Sequence, residues 1–340
     1  MDYTISVIIP VYNRCDRVKY AVDSVLAQTV PVLEIILVDD GSFDGTSELL
    51  PRYIEDNPTW RERVIYVRQD NQGPGGARNT GITRAKGDWI AFNDSDDIWL
   101  PYKLEWQIRA LERYGDNCDL CFTDAWFSNN PYFKSSLFSS EGRKGSEPMG
   151  VVDDPAQAIV RHNYVWCQTV LARTHFVRTV GGCDPKLRWS EDRDFLFRAA
   201  LMTKFCYVNL PMVLIDRSPT DVRHSGEAEN WRKEDFRLRM DQYRLEKQLC
   251  LSGGLELGLR RSIRRNLRCL HSQWANFYLW NDNFSKAREV LCLAQRYHRD
   301  SRIMFKLALT AIVPKLAKRL FAGHSQRETQ RVDFISWRAE

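Results

Sequence analysis

The sequence predicts an α/β fold: a mostly parallel central sheet flanked by helices, followed by an α-helical C-terminal extension. Three observations carry this expectation. The first third alternates short, fully apolar runs with amphipathic stretches. The apolar runs end in acidic or glycine-rich clusters. From about Trp231 onward the pattern is mostly helical. Continuous β-branched runs mark strands buried on both faces, and β-α-β alternation with short links builds a parallel sheet covered by helices.

Residues 5–9 are the first apolar run, and Pro10 ends it. Asp16 is placed to cap a helix on which Val18, Ala21, Val22, Val25 and Leu26 share a face. Residues 34–38 form the second strand, closed by Asp39-Asp40-Gly41-Ser42. Asp44 is placed to cap the next helix, 46–54. Residues 64–67 are a third strand, and the glycine-rich stretch 73–81 leads into a short helix. Residues 89–92 are a fourth strand, followed by Asn93-Asp94-Ser95-Asp96-Asp97, with Asp97 read as a helix cap. Pro101 then opens a helix bearing Leu104, Ile108 and Leu111 on one face. Residues 123–165 lack periodicity and read as loop-rich. Strand character returns at 165–172 and 206–215, either side of a helix at about 190–201. In the extension, Leu259, Ile263, Leu267, Leu270 and Trp274 form one apolar stripe, and Ala287, Leu291 and Ala294 another. Ligands of such sheets bind at the carboxyl ends of the strands, where the acidic and glycine-rich loops fall.

The bulk properties suit a soluble globular protein, with 44% hydrophobic and 27% charged residues in 340. No run reaches the roughly 18 apolar residues of a spanning helix. No signal peptide is legible before the first strand, so the expected compartment is the cytoplasm. Nine scattered cysteines argue against a disulfide framework. Cys118 and Cys121 form a lone C-x-x-C in a strand-like stretch, expected as buried thiols. Residues 255–340 carry 17 Lys and Arg against seven Asp and Glu. This points the extension toward an anionic partner such as membrane lipid or nucleic acid. Phe305, Leu309, Ile312, Leu316 and Leu320 can share one face of a basic helix, suited either to peripheral contact with an anionic membrane or to the protein's own core. Nucleic acid is not expected, because Arg260, Arg261, Arg264, Arg265 and Arg268 interleave with a core stripe as on an ordinary solvated helix.

Four motifs can carry chemistry, each with an ordinary alternative. Asp94 and Asp96 can hold a divalent cation and a ribose, or simply solvate a strand end. Asp39 and Asp40 can accept from a base or ribose, or form a turn. In residues 71–79 the glycines permit close backbone approach and Arg78 supplies a fixed cation for a base or phosphate. Glu191-Asp192 opens a helix, as a general base or as a cap.

Together, in this order and spacing, residues 5–13, 38–42, 71–79, 94–96 and 191–192 closely resemble the inverting, non-processive, bacterial-type family 2 glycosyltransferases of the GT-A fold. The resemblance covers roughly residues 3–217. It implies a GT-A domain at 1–230, with a nucleotide-binding half at about 1–122 and an acceptor half at about 123–230. The helical extension then occupies 231–340. It further implies a hexosyltransferase using Mn²⁺ or Mg²⁺, a nucleotide-diphosphate sugar donor and a glycan or lipid-linked acceptor, working in cell-surface polysaccharide or glycolipid assembly. Pro10, Val11 and Tyr12 would line the nucleotide pocket, with Asp40 on the base and Asp39 nearby. Arg78 would contact the nucleotide, and Asp94 the ribose or the metal shell. Asp96 would bind the cation, with His224 as a further candidate near it. Asp192 would be the catalytic base, with Glu191 beside it. The alternative reading is a catalytically silent relative that binds a nucleotide sugar or a glycan. A nucleotidyltransferase is disfavoured, because Pro10-Val11-Tyr12-Asn13 stands where a basic glycine-rich loop would be needed.

Overall fold

The first apolar run is β1 (Ile5–Val11) in the computed structural model, which describes residues 3–128, 136–140, 147–162, 164–216, 230–297 and 301–322. Then come α1 (Val18–Leu26), β2 (Glu34–Asp39), α2 (Thr46–Asp56), α3 (Pro58–Arg63), β3 (Val64–Arg68), α4 (Gly73–Arg84) and β4 (Trp89–Phe92). β1 pairs in parallel with β2 and β4, and β2 with β3. Every residue of β2 and β4 is buried, as their unbroken apolar runs require.

The chain continues through β5 (Ile98–Trp99), α5 (Lys103–Tyr114), β6 (Cys118–Ser128), α6 (Leu137–Ser140), β7 (Met149–Val152), α7 (Pro155–Arg161), β8 (Val170–Arg173), α8 (Thr174–Val180), α9 (Glu191–Ala200) and β9 (Lys204–Asp216). The sheet order is β3-β2-β1-β4-β8-β6-β9-β5, with β7 also on β9. β8 runs antiparallel to β4 and to β6, so β6 and its parallel partner β9 point the same way as β1 to β4. The carboxyl ends of these six strands therefore share one edge.

The structure differs locally from the sequence pattern. Asp16 does not cap α1: the turn Arg14–Arg17 is already helical, since Arg17 and Val18 donate from their backbone N–H to Arg14 O. Asp44 does accept from Thr46 N, at 3.1 Å, at the start of α2. Pro101 does not open α5 directly: it lies in a turn closed by Lys103 N–H to Leu100 O at 3.2 Å, and the helix begins at Lys103. Asp97 is no helix cap: its carboxylate accepts from Gln168 Nε2 and Asp216 N. β6 extends to Ser128 through register shifts around Thr123–Ala125, which break the period of two, and β7 was not legible at all. Residues 167–169 turn as a short 3₁₀ helix before β8. Cys118 and Cys121 are buried free thiols on β6.

Two compact units divide the chain, Met1–Arg223 and His224–Glu340. The second holds α10 (Asn230–Leu251), α11 (Leu257–Trp280), α12 (Phe284–Tyr297), α13 (Ser301–Ile312) and α14 (Pro314–Ala317). The stripes on α11 and α12 are buried as their spacing requires. Asp235 of α10 accepts from Trp274 Nε1 at 2.9 Å and from the Tyr278 hydroxyl, fastening α10 to α11. Among the described residues no helix is long and apolar enough to cross a membrane.

Candidate active site

Three loops at the carboxyl edge of the parallel strands are tied together by hydrogen bonds. At the end of β1, Pro10 is half-buried and Val11 buried; Tyr12, just beyond it, is exposed, its ring edge-on to Phe43 at 6.0 Å. Asn13 takes a left-handed conformation (φ 52°), which asparagine tolerates. Its backbone N–H donates to Ser42 Oγ at 2.9 Å, while its side-chain oxygen accepts from Phe43 N at 3.0 Å. Asp39 accepts from Ser42 N and from the Tyr66 hydroxyl at 2.6 Å, the bond that, after burial, helps hold that phenol above its ordinary range. Asp40 accepts from Gln69 Nε2, Gln72 N and Gly73 N, each at 2.8 Å, so it caps the start of α4 and keeps about one lone-pair position open. A groove of about 610 Å³ lies beside it, lined by Gly41, Arg68, Gln69, Asp70 and Asn71.

Arg78, almost fully buried on α4, links the acidic loop after β4 to the start of α9. Its Nη2 donates to Asp94 Oδ1 at 2.8 Å and its Nη1 to Glu191 Oε1 at 2.6 Å. Burial opposes the guanidinium charge, but these carboxylates more than offset it and raise its pKa further. Glu191 is equally buried. Desolvation, with the nearby charge of Asp192, lifts its carboxyl above the usual range against the pull of Arg78. Asp192 is half-buried and accepts from Arg193 N at 2.7 Å through Oδ1. Ser190, immediately before the pair, adopts a left-handed conformation (φ 57°) that turns the chain into α9.

Gly75 on α4 serves packing between helices. A Cβ on Gly75 would meet Glu191 Cγ at 3.1 Å and Cys183 Cβ at 3.2 Å. The absent side chain at Gly75 gives α4 and the start of α9 room to pack closely where Arg78 reaches Glu191.

Asp94 is partly exposed, with Arg78 on one oxygen; Asp96 is nearly buried, 3.9 Å from Arg14 Nε. Among the described residues no group of three His, Cys, Asp or Glu converges as a metal cage. Two carboxylates one residue apart form an oxygen donor set that fits Mg²⁺ or Mn²⁺, cations that keep several waters and share diphosphate oxygens. His224 lies outside the described residues.

The structure thus brings Arg78, Asp94, Glu191 and Asp192 together, and sets Asp39 and Asp40 as turn and helix anchors beside the groove. Arg14, Asn13, Ser190 and Gln168 were missed. Asn13 and Ser190 act through backbone conformation, and Arg14 and Gln168 reach across the fold, none of which a local motif encodes.

Residues 6–172 match the family described as Glycosyl transferase family 2. A Bacillus subtilis protein, TuaG, named for a proposed role in teichuronic acid biosynthesis, is 42% identical over 120 residues, 35% of this chain and 45% of that protein. The matched stretch spans between 14% and 58% of the length of eight curated relatives it resembles. The fold is similar to that of S. aureus TarS 1–349 in complex with UDP (TM-score 0.57, 18% identity, 98% of this chain and 93% of that one). It is also similar to the Pyrobaculum calidifontis mannosyltransferase PcManGT in complex with GDP-Man and Mn²⁺ (TM-score 0.58, 15% identity, 97% and 81%). The fold is GT-A.

Proposed function

With a glycosyl transferase family 2 domain over residues 6–172, the chain is, we propose, an inverting, metal-dependent glycosyltransferase of hexosyl type. It moves a sugar from a nucleotide-diphosphate donor to a hydroxyl of a glycan or lipid-linked acceptor. The proposed setting is the cytoplasm, at the inner face of the membrane, in polysaccharide or glycolipid assembly. The observation that supports this reading is the Arg78 bridge, which links Asp94 in the acidic loop to Glu191 at the start of α9.

Asp40, with the groove beside it, would receive the nucleotide base, and Tyr12, Val11 and Pro10 would wall it, with Asp39 nearby. Asp94 would face the ribose and Asp96 the diphosphate. Asp94 and Asp96 would hold Mn²⁺ or Mg²⁺, which when bound would supply positive charge against the diphosphate leaving group. Asp192 is the proposed base because it is the more accessible of the pair, whereas Glu191 is buried and held by Arg78. Its carboxylate takes the acceptor hydroxyl proton as that oxygen attacks the anomeric carbon. The bond to the diphosphate breaks with its electron pair leaving on oxygen, and the anomeric configuration inverts.

The test is a thermal-shift screen of nucleotide sugars with and without Mn²⁺ or Mg²⁺, followed by donor turnover. A ligand at 100 times its dissociation constant stabilises the fold by about 2.7 kcal/mol. A cation-dependent shift with turnover supports the transferase. A shift with neither transfer nor donor hydrolysis would make the chain a binding protein.

A further inference from the structure

Beyond the transfer site, the segment 301–322, which comprises α13, α14 and the π-helical turn Lys318–Ala322, carries an apolar face that the helices of its own unit leave uncovered. Phe305 is 60% exposed, Ile312 77%, Met304 53% and Leu320 52%, with Val313 and Leu316 also exposed. Ile303, Lys306, Thr310 and Ala317 are buried. Lys306 fixes this orientation: its Nζ donates to Ser272 O at 3.1 Å, to Ser272 Oγ at 3.2 Å and to Asn276 Oδ1, all on α11. The helix is therefore keyed against α11 by a buried cation, and its aliphatic and aromatic side chains stay on the outside.

Charge completes the pattern. Residues 301–322 contain Arg302, Lys306, Lys315, Lys318 and Arg319 and no Asp or Glu. Arg302, Lys315 and Arg319 are exposed on this segment. Large exposed apolar side chains rimmed by cations are the composition of a helix that lies in a bilayer interface. We propose that this face docks on an anionic phospholipid bilayer, its apolar side chains entering the acyl boundary and its cations meeting headgroup phosphates. An acidic polymer would satisfy the cations but leave Ile312 and Phe305 in water. A second copy of the chain would set like charges against each other. The inference rests on residues 301–322 alone and does not depend on the transfer chemistry.

The experiment is co-sedimentation of the full chain with phosphatidylcholine vesicles, with and without phosphatidylglycerol. Binding is expected to the phosphatidylglycerol vesicles, to weaken with salt, and to fall at least about tenfold for Phe305→Ser/Ile312→Asp and for Lys315→Glu/Arg319→Glu. Both pairs change exposed residues, so unfolding midpoints and donor-induced thermal shifts should stay at wild-type values. That readout separates a failure here from a failure of the transferase reading. Equal sedimentation with both vesicle types would overturn the proposal, as would full binding by the apolar double variant. A lipid-independent loss of oligomer size in that variant would instead make the face a self-interface, and would equally overturn it.

Discussion

Arg78 and Glu191 meet through a 2.6 Å hydrogen bond between two nearly buried, oppositely charged groups far apart in sequence. Because the same guanidinium also holds Asp94 at 2.8 Å, one planar fork fixes the spacing between the acidic loop and the start of α9. Lysine offers one nitrogen on a flexible stem, so it cannot reproduce two directed bonds from separate nitrogens of a rigid plane. Arg78→Lys is expected to lower kcat at least about tenfold in steady-state assays. Arg78→Met strands buried carboxylate charge and should cost about 3–5 kcal/mol in chemical unfolding. Wild-type turnover by Arg78→Lys would remove the positioning role.

Asp96→Ala should abolish cation-dependent donor binding, measured as the thermal shift gained on adding Mn²⁺ with a nucleotide sugar. Asp94→Ala should be milder in the same measurement, because one of its oxygens is already committed to Arg78. Normal turnover by Asp96→Ala with a chelator present would refute the metal role.

Asp192→Asn keeps the side-chain shape and removes its basicity. Transfer at saturating donor should fall by about 10² or more while donor and metal affinity hold. Weakened donor binding with nearly normal turnover would reassign Asp192 to binding and point to Glu191 as the base.

Two glycines on α4 should separate stability from activity. A Cβ at Gly81 would lie 2.4 Å from Ile8 Cγ2 in the core of β1. Gly81→Ala should therefore lose about 1–3 kcal/mol of stability even after its gain in helix propensity. At Gly75 the nearest contacts are Glu191 and Cys183, at 3.1 and 3.2 Å. Gly75→Ala should change stability by less than about 1 kcal/mol but lower kcat severalfold by displacing Glu191. Equal stability losses in both variants would contradict this division.

His271 should make the helical unit acid-sensitive. Burial lowers its imidazole to about 4, against a weaker opposing pull from Glu246. The folded state therefore binds the proton less readily than the unfolded chain. The stability this provides is complete above pH of about 6.5 and drains as pH falls toward about 4, by at most about 3 kcal/mol. His271→Leu should flatten that slope when unfolding midpoints at neutral and mildly acidic pH are compared. An unchanged slope would show that the imidazole is not responsible.

The sequence by itself determined the repeated β-α-β order, the strands at β1 to β4, the helical extension and the acidic loops, because each is written in local periodicity or in an apolar run ended by turn residues. It also marked Asp94, Asp96, Glu191 and Asp192 as a related set through their order along the chain. It did not determine which strands beyond β4 join the sheet, since β6 carries register shifts and β5 is two residues long. Only the tertiary structure buried Lys103, which reads as a surface lysine but lies 3.8 Å over the Trp99 ring with Gln107 as its hydrogen-bond partner. Tertiary packing also turned the apolar face of α13 outward by anchoring Lys306 on α11, and joined Arg78 to Glu191 across 113 positions. Propensity and periodicity act over a few residues, whereas these contacts depend on which surfaces the folded chain brings within hydrogen-bond reach.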